Sequence, residues 1–170
     1  KLDAVVVTGG EPTLQEDLPE FLERIEGLGF AVKLDTNGTN PGVLKSLLER
    51  KLVEAVAMDV KAPLARYAEA TGGEGDGAAV EAVRKSIRLL LKSKIEYEFR
   101  TTVVKELLSP GDVLAVGELV KGAARFALQR FVPAKTHDPR FANATSFTDG
   151  EMNGLRAVLL KMQIQEVVIR

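Results

Sequence analysis

Cysteine is missing from all 170 residues, so this chain can by itself build no disulfide, no zinc–thiolate site and no cysteine-held iron–sulfur cluster. Tryptophan is also missing and aromatics reach only 5%, which leaves little material for a sugar-stacking platform. Neither sign of charge prevails: 23 Lys and Arg face 24 Asp and Glu. Without a basic excess to hold a phosphate backbone, nucleic acid is not expected as a partner. No apolar run approaches the roughly 18–20 residues of a membrane span, and no signal-peptide pattern stands at the start. The expectation is a cytoplasmic protein with no membrane partner. The chain also opens on Lys1, not Met, and enters an apolar run within a few residues. It is expected to be an N-terminally truncated single domain over 1–170.

What is present is a repeating apolar pattern. Hydrophobic residues make up 45%, enough for one sizeable core. Leu2 to Thr8 is apolar on both sides, as in a parallel strand covered on both faces. Asp17 with Glu20 resembles a capping box, and Leu18, Phe21, Leu22, Ile25 and Leu28 then recur at helical spacing until Gly29. A second strand from Phe30 to Leu34 leads to Asn40-Pro41, a cap with proline at the first helical position, and a stripe of Val43, Leu44, Leu47 and Leu48. Val53 to Val60 is a third strand.

Between Leu64 and Gly77 lies a short helical piece around Arg66 to Ala70, then a glycine-rich stretch read as a flexible linker. No Lys-Ser/Thr follows it and its acidic side chains would repel a phosphate. Val80, Val83, Ile87, Leu90 and Leu91 mark a helix, and Ile95 to Val104 a strand with Glu96, Glu98 and Arg100 on one side. Ser109-Pro110 opens another helix. Phe126 to Val132 is a strand interrupted at Gln129 and Arg130. Ala134 to Phe147 is irregular and holds the lone His137, read as solvent-exposed. Thr148 with Glu151 makes a second capping box before a last helix and a short β-branched run, Glu166 to Arg170.

Strand and helix alternate about five times at βαβ spacing, which predicts an α/β fold with a parallel sheet, either doubly wound or an arc of a (β/α) barrel. Ligands then gather at the carboxyl ends of the strands. Polar clusters sit there: Gly9-Gly10-Glu11, Asp35-Thr36-Asn37, Asp59-Val60-Lys61 and Arg100-Thr101-Thr102. Two glycines after a strand let a ligand approach bare backbone. Three acidic groups and Lys61 suit a guest carrying both an ammonium and a carboxylate, such as an amino-acid moiety. Asp35 and Asp59 could also ligate a hard cation or work as a general acid/base pair, or they could merely be neutralised by Lys61.

Thr8-Gly9-Gly10-Glu11-Pro12 resembles the Gly-Gly-Glu motif of the radical S-adenosylmethionine (SAM) superfamily. Leu34-Asp35-Thr36-Asn37-Gly38 and Met58-Asp59-Val60-Lys61 resemble the Asp-Thr-Asn-Gly and Asp-x-Lys motifs of its glycyl-radical-activating branch, to which the activators of anaerobic ribonucleotide reductase and of pyruvate formate-lyase belong. The resemblance implies a partial (β/α) barrel holding S-adenosylmethionine and, in the full-length protein, a [4Fe–4S] cluster. Gly9, Gly10 and Glu11 would receive the methionine ammonium, and Asp35 and Lys61, with Thr36, Asn37 and Asp59 nearby, would fix the methionine end. Arg100 and Phe131-Val132-Pro133 would lie toward ribose and adenine. Reductive cleavage would yield a 5′-deoxyadenosyl radical that takes hydrogen from a glycine of a glycyl radical enzyme, such as anaerobic ribonucleotide reductase. The family's three cluster cysteines precede the Gly-Gly-Glu strand. With none here, the fragment alone is expected to be inactive, with no catalytic residue of its own. A cluster-free S-adenosylmethionine-binding or protein-interaction domain is the alternative.

Overall fold

The computed structural model describes residues 2–72, 77–133 and 141–170. Its chain divides into two compact units, Lys1–Asp59 with Asp76–Glu98, and Val60–Gly75 with Phe99–Arg170.

The first unit carries strands β1 (Ala4–Val7), β2 (Ala31–Thr36) and β3 (Ala55–Asp59), parallel and paired in that order. Parallel neighbours need a crossover, and helices α1 (Leu18–Gly27) and α2 (Pro41–Glu49) supply it. Leu18, Leu22 and Ile25 are buried on α1 and Leu44 and Leu47 on α2, each worth roughly 2 kcal/mol of burial. Gly29, at φ +81°, takes the left-handed conformation that ends α1, as its position in the sequence predicts. Successive side chains of β2 alternate: Val32, Leu34 and Thr36 are buried, while Ala31, Lys33 and Asp35 lie on the half-exposed face.

β1 departs from expectation. Its Ala4 and Val6 are exposed, Val6 by 53%, so one face of this strand is open where the apolar run predicts cover on both sides. Two expected caps also differ. Asp17 and Asn40 occupy the N-cap positions of α1 and α2, yet neither side chain makes a cap hydrogen bond.

The short helical piece expected around Arg66 to Ala70 is present. A 3-10 turn, Leu64–Arg66, runs into α3 (Tyr67–Ala70), and Gly77, expected in the linker, is the first residue of α4 (Gly77–Lys92). Gly73, Glu74, Gly75 and Asp76 lie outside the described residues, as does His137. Buried Val83, Ile87 and Leu90 give α4 its apolar side, as the periodicity predicts.

Strand β4 (Glu96–Val103) enters the second unit at Phe99 and from there pairs in parallel with β5 (Arg125–Arg130), and β5 with β6 (Glu166–Ile169). β5 includes Gln129 and Arg130, which pair with Thr102 and Val103, so the polar residues do not interrupt it. The two long helices of this unit begin on complete capping boxes: Ser109 with Asp112 opens α5 (Pro110–Leu119) and Thr148 with Glu151 opens α6 (Asp149–Leu160). α5 and α6 approach closely at Gly117, where a Cβ would stand 2.3 Å from Leu159 Cδ2. No helix among the described residues is long and apolar enough to cross a membrane.

Candidate functional site

The carboxyl ends of β1 and β2 are locked together by one side chain. Glu11 follows the Gly9-Gly10 turn and is only 9% exposed. Its Oε1 accepts from Thr13 N at 3.2 Å, from Thr13 Oγ1 at 2.5 Å and from Thr36 Oγ1 at 2.7 Å; its Oε2 accepts from Asn37 N at 2.6 Å. A carboxylate offers about four lone-pair sites, so three of these bonds crowd one oxygen and leave the other with room for one more donor. Hydrogen bonds to a charged acceptor are the strong kind, and out of water they fix geometry.

The lock extends on both sides. Thr13 Oγ1 accepts from Asn40 Nδ2 at 3.0 Å, which is where the Asn40 side chain goes instead of capping α2. Thr36 Oγ1 accepts from Gly38 N at 3.1 Å, and Asn37 Oδ1 accepts from Thr39 N at 2.9 Å and Thr39 Oγ1 at 2.7 Å. Gly38 sits at φ +75°, and a Cβ there would lie 2.1 Å from Met58 Cε and 3.3 Å from Ser86 Cβ. Ser86 Oγ donates to the Gly38 carbonyl at 2.7 Å, so α4 grips the same turn. The loop after β2 therefore has no slack.

The turn that Glu11 anchors is open. Gly9 lies at φ +143°, a region that side chains avoid, and a Cβ on either Gly9 or Gly10 would meet nothing within 4 Å. Bare peptide groups thus face free space at the end of β1. Asp35 and Asp59 share one face of the adjoining strands: Asp35 pairs in register with Ala57, and Asp59 is two residues beyond it. Both are half-buried. Lower on that face Lys33 Nζ donates to the buried Glu98 at 3.4 Å. A backbone cradle beside two carboxylates can accept from a cationic donor group, such as an ammonium.

The structure thus brings Gly9, Gly10, Glu11, Asp35, Thr36, Asn37 and Asp59 to one end of the first unit, with Glu11, Thr36 and Asn37 bonded to one another. Lys61 and Arg100 belong to the second unit. There Lys61 is exposed and Arg100 half-buried, and Val60 N donates to the Arg100 carbonyl at 2.8 Å. Among the described residues no cluster of three or more His, Cys, Asp or Glu side chains could hold a metal ion. Thr13, Asn40 and Ser86 are not among the site residues expected from the sequence, which reads Asn40 only as the cap of α2, although all three brace this end. Thr13 had a signal, being the hydroxyl directly after Glu11-Pro12; Asn40 and Ser86 had none.

The model of the family described as the Radical SAM superfamily matches residues 1–108. A protein of Methanocaldococcus jannaschii, provisionally described as a glycyl-radical enzyme activating enzyme, is 36% identical over 170 residues, 99% of this chain and 70% of its own length. A 7-carboxy-7-deazaguanine synthase of Koribacter versatilis is 32% identical over 101 residues, 56% of this chain and 39% of its own. Among solved structures, a domain of pyruvate-formate lyase-activating enzyme from Bacteroides vulgatus matches with a TM-score of 0.76 at 16% identity, covering 98% of each chain.

Proposed function

The chain belongs to the Radical SAM superfamily and has its α/β partial-barrel fold, and from that premise we propose that it holds the S-adenosylmethionine of a glycyl-radical-activating enzyme. The observation that carries the reading is the Gly9-Gly10 turn, open to solvent yet immobilised by a buried carboxylate. The methionine ammonium is received there, by main-chain acceptors and the remaining capacity of Glu11 Oε2, with Asp35 and Asp59 completing the negative environment. Thr36 and Asn37 act through Glu11, keeping the cradle at its position. The resemblance adds Lys61, with Asp35, at the methionine end and Arg100 toward the ribose and adenine.

S-adenosylmethionine supplies a sulfonium whose carbon–sulfur bond is the one broken in this family. The protein's share is placement and exclusion of water. An iron–sulfur cluster does not fit the residues present, since none of the 170 is a thiolate donor. Under this reading its ligands are residues outside this stretch. A glycyl radical enzyme is the partner, in keeping with the description of the M. jannaschii relative; anaerobic ribonucleotide reductase is the one the motif resemblance names, and the cytoplasm is the setting. The absence of cysteine also favours a second reading, a cluster-free S-adenosylmethionine-binding domain. Iron content of the protein from its native reading frame separates the two: stoichiometric iron supports the first, none the second.

Calorimetric titration with S-adenosylmethionine tests both. Saturable binding is expected, weakened about tenfold in Asp35→Asn through the lost charge-assisted contact. Heats that never saturate would rule out the cofactor under either reading.

A further inference from the structure

A second feature of the first unit, away from the strand ends, has the chemistry of an interaction surface. α2 and α4 pack side by side, and an open groove of about 420 Å³ runs along their junction, floored by Pro41 and Leu89 and flanked by Lys45, Lys85, Arg88 and Lys92. On α4 the three cations recur at i, i+3 and i+7, so they form one stripe roughly 10 Å long. All four are exposed.

They are also poorly neutralised. Lys45 has a 3.6 Å contact with Glu49, an exposed pair of little strength. Lys85, Arg88 and Lys92 form no ion pair with any described residue. In a chain whose formal net charge is −1, four cations facing a single carboxylate are a local concentration, and their mutual repulsion is relieved when an anionic partner binds.

We propose that this groove docks an acidic, amphipathic segment of a partner protein, with carboxylates along the α4 stripe and an apolar side chain seated on Leu89 and Pro41. The stripe is longer than one small anion. The floor is aliphatic, with no aromatic side chain on which a nucleic-acid base would stack. A protein segment supplies both the charge and the apolar contact, as acidic faces do when they meet a basic groove. This site is independent of the cofactor reading.

Fluorescence anisotropy tests it, with a labelled synthetic peptide that carries glutamates around a leucine on one helical face. Saturable binding is expected, falling about tenfold or more in the double variant Lys85→Glu, Arg88→Glu and weakening as salt is raised. Leu89→Asn should weaken it as well, whereas Lys121→Glu, a single charge reversal at an exposed position of the second unit, should not. Both charge variants lie on exposed positions, and unchanged unfolding temperatures confirm that they fold. The proposal is overturned if the peptide does not saturate, if Lys121→Glu costs as much as the double variant, if single-stranded RNA binds more tightly than the peptide, or if inorganic phosphate displaces the peptide at matching concentration.

Discussion

The helices of the two units start in different ways. In the second unit each long helix opens on a closed local circuit: Ser109 and Asp112 exchange hydrogen bonds at α5, Thr148 and Glu151 at α6, and a cation joins each, Arg66 at Asp112 and Lys105 at Glu151. In the first unit neither Asp17 at α1 nor Asn40 at α2 caps its helix with its side chain. Asn40 heads α2 but reaches back to Thr13, and Glu11, besides taking the Thr13 amide, spans to Thr36 and Asn37 across 25 and 26 residues. Capping in the second unit serves the helix; in the first unit Asn40 and Glu11 serve the strand ends. A fold spends polar groups this way where the shape of a turn matters more than the stability of the helix behind it.

Substitutions can break this contrast. The largest effect is expected at Gly38, where alanine meets both a left-handed backbone and Met58 Cε at 2.1 Å; a loss of about 3 kcal/mol should appear in chemical denaturation. Gly117 of α5 is its counterpart in the second unit. Its Cβ would meet Leu159 Cδ2 at 2.3 Å, the end of a side chain, and its backbone is helical. Gly117→Ala gains helix propensity against the crowding and should change stability by about 1 kcal/mol or less. Equal losses at the two glycines would contradict the claim that the first unit's turn is the more tightly determined.

Glu11→Gln should cost about 2 kcal/mol, because an amide cannot accept at both of its ends and one of the four donors is left buried. Thr148→Ala removes an exposed cap and should cost about 1 kcal/mol. If Thr148→Ala proved the costlier, the assignment of Glu11 as the lock between strand ends would fail. The second unit's circuit has a pH signature of its own. Lys105 and the Thr148 amide and hydroxyl hold the Glu151 carboxyl below its ordinary 4.5, at about 2. A depressed folded value means the unfolded chain binds the proton first, so this contribution is complete above about pH 4.5 and fades as pH falls toward 2. Protection of the amides in the first turn of α6, taken relative to the intrinsic exchange rate at each pH, should fall across that interval and stay flat in Glu151→Gln. The smallest cost is expected for Asn40→Ala, about 0.5–1 kcal/mol for one half-buried hydrogen bond to Thr13.

Much of the fold was readable because it depends on local periodicity. The boundaries of α1, α2 and α6 follow from apolar spacing, Gly29 and the Thr148–Glu151 pair, and the alternation of strand and helix predicts parallel pairing. Family membership was readable from three short motifs. The lock was not, since Glu11 finds its donors from a loop that only strand pairing brings near, and Asn40, though it holds the N-cap position its place before Pro41 predicts, sends its side chain to the hydroxyl of Thr13, which no local spacing shows. The open face of β1 was hidden for a similar reason: four consecutive apolar residues say nothing about which neighbours cover them. The close approach of Gly38 to Met58 and Ser86 depends on a register no spacing rule encodes.

The most direct test of the central claim is a substitution that the fold should not notice. A methyl group on Gly10 meets nothing within 4 Å, so Gly10→Ala should melt at the same temperature as the parent protein, yet it fills the backbone cradle that the cofactor's ammonium needs. Calorimetric titration of S-adenosylmethionine into parent and variant is predicted to show saturable binding weakened about tenfold or more by the methyl group. Equal affinity in the two proteins would contradict the assignment of the cofactor to this turn.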